Sequence, residues 1–244
     1  PENAAAGRYE GAVRIVPANQ PPAELAVKFE VLPFRFRPLA AKAYGMYYRF
    51  PADEDWPNVE VELADIRQHG CTLLKSNLGV QYQRVDGRVK PDIARLDRGL
   101  ALLKKHGFRG PQPVGSGAEQ AARMLKYDPV KDHENWAARE EFFRVVKAGM
   151  ESLLELQKKY PEFELLPTHM DEVFGEDRLP LYIRLTEAVR QVPGLRVYIT
   201  LHNDPGRGAA ERMREVDPYV DVRCYNGHVM DTWLRAGHTF DDLR

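Results

Sequence analysis

Asp171 and Glu172 stand side by side in the stretch Leu165-Leu166-Pro167-Thr168-His169-Met170-Asp171-Glu172. Two neighbouring carboxyls can divide acid–base work. One protonates a leaving oxygen while the charge of the other stabilises a cationic centre. The pair is the candidate catalytic centre. The bland alternative is that Asp171 caps the following turn and Glu172 is solvated.

Other polar and aromatic residues fall at comparable places, each at the end of an apolar run. They are Tyr47, then Lys75 and Asn77, then His169, then His202 and Asn203, then Tyr225 and Asn226. Sugars need such a set. Their hydroxyls take directional hydrogen bonds from Asn, His and carboxylates, and their C–H faces stack on aromatic rings. These eight are the candidate substrate-binding residues. Structural roles compete for some of them: His169 as an interior residue, and His202 as a partner of neighbouring backbone.

No spacing of His, Cys, Asp and Glu resembles a zinc motif, so no metal is assigned. The Gly115-Ser116-Gly117 loop lacks the Gly-Lys-Ser/Thr pattern of a phosphate loop and reads as a strand-to-helix connection. No cofactor is implied.

These residues need elements that bring them together. From Tyr44 onward, strand-like and helix-like segments alternate. Strands are expected at Tyr44–Phe50, Cys71–Leu78, Phe108–Val114, Phe163–Met170, Leu195–Leu201 and Val220–Tyr225. Helices are expected at Val59–His69, stopped by Gly70, at Ile93–His106 with Asp92 as N-cap, and at Glu134–Tyr160. Further helices are expected at Leu179–Gln191 and Gly208–Val216. This order predicts α/β architecture of the (β/α)8 type, a TIM-like barrel with about six of its eight units present. In such a barrel the strand ends carry the chemistry. Alternation on the fifth strand sends Leu195, Val197, Ile199 and Leu201 outward and Tyr198, Thr200 and His202 inward. On the sixth it sends Val222 and Cys224 outward and Arg223 and Tyr225 inward.

Residues 1–40 differ. Tyr9–Val16 and Leu25–Phe36 flank the turn-forming Pro17–Pro22, which predicts a strand pair. A lone hairpin is barely stable, so this pair reads as the remnant of a β-sandwich. The barrel domain then occupies 41–244 and ends short of its last two strands.

The chain has 244 residues with a formal net charge of -1 and no long run of one sign. A nucleic-acid partner has no electrostatic footing here. No apolar stretch approaches a membrane span. The partner implied is a carbohydrate, and the oligomeric state is open. Cys71 and Cys224 sit among apolar residues and read as free thiols, which leaves the compartment open.

Several short motifs together resemble glycoside hydrolase family 123. They are Val31-Leu32-Pro33-Phe34, Tyr44-Gly45-Met46-Tyr47-Tyr48, His69-Gly70-Cys71-Thr72 and Asp171-Glu172. To these add Pro193-Gly194-Leu195-Arg196-Val197 and Asp217-Pro218-Tyr219-Val220-Asp221. The resemblance implies a β-sandwich followed by a barrel, and removal of a β-linked N-acetylamino sugar with retention. It also implies an extracellular or periplasmic setting. By the same resemblance, Asp171 would polarise the substrate's acetamido group and Glu172 would act as general acid, then base. Family members often have proline after the pair, where this chain has Val173. Two other readings stand beside this one: a non-catalytic glycan-binding barrel, and a glycosidase with two separated carboxylates.

Overall fold

The computed structural model describes residues 4–34, 43–52, 56–171, 178–202 and 214–226, with positions 234, 237 and 239. Of residues 201, 202, 225 and 226 only the backbone is described. The chain divides into two units, Pro1–Lys42 and Ala43–Arg244.

The first unit is an antiparallel ribbon of β1 (Gly7–Ile15) and β2 (Ala23–Val31). Its register sorts the sequence cleanly by face. Tyr9 lies opposite Phe29 and Val13 opposite Leu25 on one side. Arg8 faces Glu30, Glu10 faces Lys28 and Arg14 faces Glu24 on the other. The Tyr9 and Phe29 rings stack 5.3 Å apart, and the Lys28 ammonium sits 2.8 Å from Glu10.

The second unit is mixed α/β. Three parallel strand pairs follow one another along the chain. β3 (Gly45–Tyr48) pairs with β4 (Leu73–Ser76). β7 (Gly110–Gly115) pairs with β8 (Phe163–Thr168). β9 (Tyr198–His202) pairs with β10 (Val222–Asn226). Between β4 and β7 the chain inserts an antiparallel hairpin, β5 (Gln81–Val85) and β6 (Arg88–Asp92). Its turn residues Asp86 and Gly87 both have positive φ, 52° and 75°, as a type I′ turn requires. This hairpin lies outside the strand–helix alternation expected from the sequence.

The junction between β4 and β7 explains an odd sequence. β7 carries Pro111 and Pro113. N–H groups of alternate residues point to the same neighbour, so these prolines remove two donors from the edge facing β4. The buried Gln112 side chain replaces them. Its amide donates to the Thr72 carbonyl at 3.2 Å, and its oxygen accepts from the Leu74 N–H at 3.2 Å. Ordinary pairing resumes beyond the prolines, where Gly115 N–H donates to Leu78 and Val80 N–H donates to Gly115, both at 2.8 Å. There Gly79 and Gly115 approach so closely that a side chain on Gly79 would collide with the opposite backbone.

Helices α1 (Val59–Gln68), α2 (Ala94–Lys105), α3 (Ala118–Leu125), α4 (Trp136–Lys159) and α5 (Arg178–Val189) accompany the strands. Asn135 caps α4 through Ala138 N–H, and Gly70 follows α1 with φ of 90°. Asp92, expected as the N-cap of α2, takes the Ala94 N–H from one residue before the cap position, which Ile93 holds without a side-chain cap. α3 was not expected; it follows directly on the Gly115–Gly117 loop. Residues 208–213 of the last expected helix lie outside the described residues. The core lies between strands and helices and includes Leu74, Leu100, Phe142, Met150, Leu165, Tyr182 and Ile199. Each such side chain contributes about 1.5–3 kcal/mol by burial.

The strands keep the chain-order succession of a (β/α) wind, yet no closed barrel forms among the described residues. The TIM-like expectation therefore holds only as far as α/β with parallel pairs. No described helix is long and apolar enough to cross a membrane. Both cysteines are free and half-buried.

Gln112→Leu is expected to lower stability by about 1–3 kcal/mol, because the Leu74 N–H loses its partner and the Thr72 carbonyl keeps only its bond from Arg109 N–H. Urea denaturation of the variant measures this; a loss below about 1 kcal/mol would contradict the bridging role.

Candidate functional site

The site residues are set by which face of the strands they leave from. Tyr47 lies beside Lys75 across the β3–β4 pair, and Thr200 beside Cys224 across β9–β10. The Lys75 ammonium stands 5.6 Å from the centre of the Tyr198 ring. Tyr47, Lys75, Tyr198, Thr200 and Cys224 therefore share the face opposite the helix-packed core. Tyr198 and Thr200 are buried there, whereas Tyr47 is 62% exposed.

Burial holds the Lys75 ammonium below its ordinary value, and the nearby Asp171 carboxylate and Cys224 pull it partly back. The Tyr198 phenol is pushed up by burial first, then by its hydrogen bond with Cys224. Asp171 itself is exposed. It is presented by a bend that ends β8: the Thr168 hydroxyl donates to the Met170 carbonyl at 3.3 Å, while the Thr168 carbonyl accepts from Ser116 N–H at 2.7 Å. Met170 is buried as an anchor. Beside these strand ends opens a cleft of about 390 Å³, lined by Lys75, Gln81, Gly115, Gln120, Arg123 and Thr168 among others.

Two expected sugar ligands, His169 and Asn77, also line this cleft, but their side chains are engaged by the protein itself. His169 turns to the helix side. Its Nε2 lies 2.8 Å from the Thr186 hydroxyl, which itself donates to the Tyr182 carbonyl at 2.9 Å. Nε2 must therefore carry the proton, and Nδ1 is a bare acceptor, buried and unpartnered among the described residues. The ring stacks on Tyr182 at 4.6 Å. Burial drives its pKa down to about 3, a little offset by the Tyr182 backbone. Asn77 bonds in both directions to the Phe50 backbone, at 2.9 Å each, and so ties the exit of β3 to that of β4.

The inward and outward assignment on the sixth strand is reversed. Cys224, expected outside, lies beside Thr200 and bonds Tyr198. Arg223, expected inside, binds Asp217 at 2.8 Å. The cause is register: Val222 aligns with Tyr198, so Cys224 shares the face of Thr200. Tyr225 aligns with Leu201 and Asn226 with His202, and the side chains of Tyr225, Asn226 and His202 lie outside the described residues, as do Glu172 and Asn203 entirely. The Asp217–Arg223 pair, six residues apart with opposite charge, was the available signal for the reversed strand.

No protein-family model and no curated protein matches the chain. Among solved structures, the spore cortex-lytic enzyme SleL of Bacillus cereus is similar at 13% identity and a TM-score of 0.43. That match covers 75% of this chain and 41% of the enzyme. A chitinase from Bacteroides thetaiotaomicron is similar at 14% identity and a TM-score of 0.39, covering 75% of this chain and 53% of the chitinase. The chain thus spans about half the length of either. Likeness of this size fixes no chemistry, and the family 123 resemblance is not among these findings.

The depressed His169 gives a pH signature. The unfolded chain binds this proton below about pH 6.5, and the folded chain only near pH 3. The His169 contribution is fully present above the unfolded value and is lost as pH falls toward the folded one, by up to about 1.4 kcal/mol per pH unit. His169→Gln is expected to flatten this part of the stability profile between pH 6 and 4. Equal slopes in chemical denaturation of both proteins would refute the assignment.

Proposed function

We propose that this chain is the catalytic unit of a glycoside hydrolase acting with retention on a β-linked amino sugar. The observation that supports this is the place of Asp171: exposed at the C-terminal end of a parallel strand, within the field of Lys75, on a face lined by Tyr47 and Tyr198.

Asp171 then orients and polarises the substrate's acetamido group, whose oxygen attacks the anomeric carbon. Glu172 protonates the departing oxygen, then deprotonates the water that opens the oxazolinium-like intermediate. The substrate supplies its own nucleophile, so a second carboxylate across the sugar is not required, unlike the common two-carboxylate arrangement. Lys75 offers hydrogen-bond donors to sugar hydroxyls, and Tyr47 offers a stacking surface.

Aryl β-N-acetylgalactosaminides and β-N-acetylglucosaminides test the reading. Glu172→Gln is expected to lower kcat by about 10²–10⁴, with smaller losses on substrates that carry better leaving groups. Asp171→Asn should lower turnover of all of them. Turnover of Glu172→Gln within twofold of the parent protein, or a trapped covalent glycosyl-enzyme, would overturn the assignment.

A further inference from the structure

Most charged residues on the outer face of α4 come in neighbouring pairs. Glu141 binds Arg144, Lys147 faces Glu151 and Glu155 binds Lys158. Pairs of this spacing satisfy one another on a helix surface. Arg139 and Glu140 depart from this habit: neither makes an ion pair among the described residues. Both line one groove of about 530 Å³, together with Trp136, Phe143, Arg144 and Gln191. Its lining shares no residue with the cleft beside the strand ends.

The groove has the parts of a ligand site. Trp136 is 66% exposed, and its indole N–H has no hydrogen-bond partner among the described residues. Large exposed indoles are costly surfaces to leave in water, and they offer a flat apolar face with a donor at its edge. The Arg139 guanidinium lies 5.1 Å from the centre of the Phe143 ring, which holds that donor fork in place. Gln191 donates its amide to Glu187 at 3.0 Å and keeps its carbonyl oxygen as an acceptor.

The charges say what kind of ligand fits. Arg139 and Glu140 cancel, and Arg144 is already neutralised by Glu141 through bonds of 2.9 and 2.6 Å. An anion would meet Glu140 and a cation would meet Arg139. A neutral molecule that both donates and accepts, and that has one C–H face for the indole, meets every group. A pyranose ring is such a molecule, and the volume lies in the range of small-molecule sites.

We propose that this groove is a second carbohydrate site, in which Trp136 stacks on a neutral pyranose while Arg139, Glu140 and Gln191 take its hydroxyls. The site rests on the hydrolase reading only for the notion that the same polymer reaches Asp171. It binds whether or not the chain cleaves.

Electrophoresis of the full chain through gels cast with hydroxyethyl chitin, mixed-linkage β-glucan or galactomannan tests it. The parent protein should be retarded in at least one gel. Trp136→Ala should weaken that retardation by about tenfold or more in apparent Kd, the loss expected for one stacked aromatic. The double variant Arg139→Ala, Glu140→Ala should weaken it too, and both should turn over aryl glycosides like the parent. Retardation of Trp136→Ala equal to the parent, or no retardation in any gel, overturns the proposal. A change in sedimentation of Trp136→Ala with unchanged retardation also overturns it, and gives the groove to a second copy of the chain. Retardation that depends on Trp136 in a protein that cleaves nothing supports this site while removing the hydrolase reading.

Discussion

The second unit depends on one side chain bridging a gap that its own sequence creates. With Pro111 and Pro113 on the edge of β7, backbone bonds hold that strand to β4 at its two ends but cannot close the middle. Gln112 does so by acting as a third strand of one residue, offering a donor and an acceptor at peptide-like spacing. Lys75 lies one residue beyond the Leu74 N–H that Gln112 accepts. The amide therefore holds the backbone beside Lys75, whose ammonium stands 5.6 Å from the centre of the Tyr198 ring. The close approach of Gly79 and Gly115 then fixes the floor of the cleft beside it.

The end of β8 shows how the bend after a strand separates two residues that alternation would place on one face. His169 goes to the helices, neutral and stacked on Tyr182, and Asp171 goes to water. A buried ring and an exposed carboxylate two positions apart are not rivals for one task. The ring secures the strand end from behind, and the Thr168–Met170 bond turns the chain in front. A site of this kind gains precision from a strand end rather than from a long loop.

Much of this was legible from the residues. Glycines that stop helices and apolar runs of strand length marked all six parallel strands in their order, and the face of Tyr198 and Thr200 followed from Val197 and Ile199. Other parts were hidden for physical reasons. Gly110-Pro111-Gln112-Pro113 falls in an expected strand, but nothing in that sequence shows that the Gln112 side chain replaces the ladder toward β4. The Asp86-Gly87 turn is a hairpin signal, but it stands inside a strand–helix repeat whose alternation predicts no antiparallel pair. α3 is short and starts from glycines that read as a loop. The face of Cys224 needed the register with β9, which alternation within one strand does not contain. For the candidate site, residue type and strand end pointed to Asp171, Lys75 and Tyr47, and the structure places Lys75 beside Tyr47 across the β3–β4 pair. His169 and Asn77 were found by the same rule and proved to hold backbone and helix together.

The ribbon of β1 and β2 carries its own guard against misalignment. A slip by one residue would turn the apolar row of Tyr9, Val13, Leu25 and Phe29 against charged partners, which any sheet resists. A slip by two would keep the apolar rows together and so escape that penalty. Here it cannot: in one direction Glu10 would meet Glu30, and in the other Arg8 would meet Lys28. Like charges set directly opposite disfavour pairing. The charged face, which contributes little to holding the native ribbon together, thus decides which of the near-equivalent alignments the chain accepts as it zips.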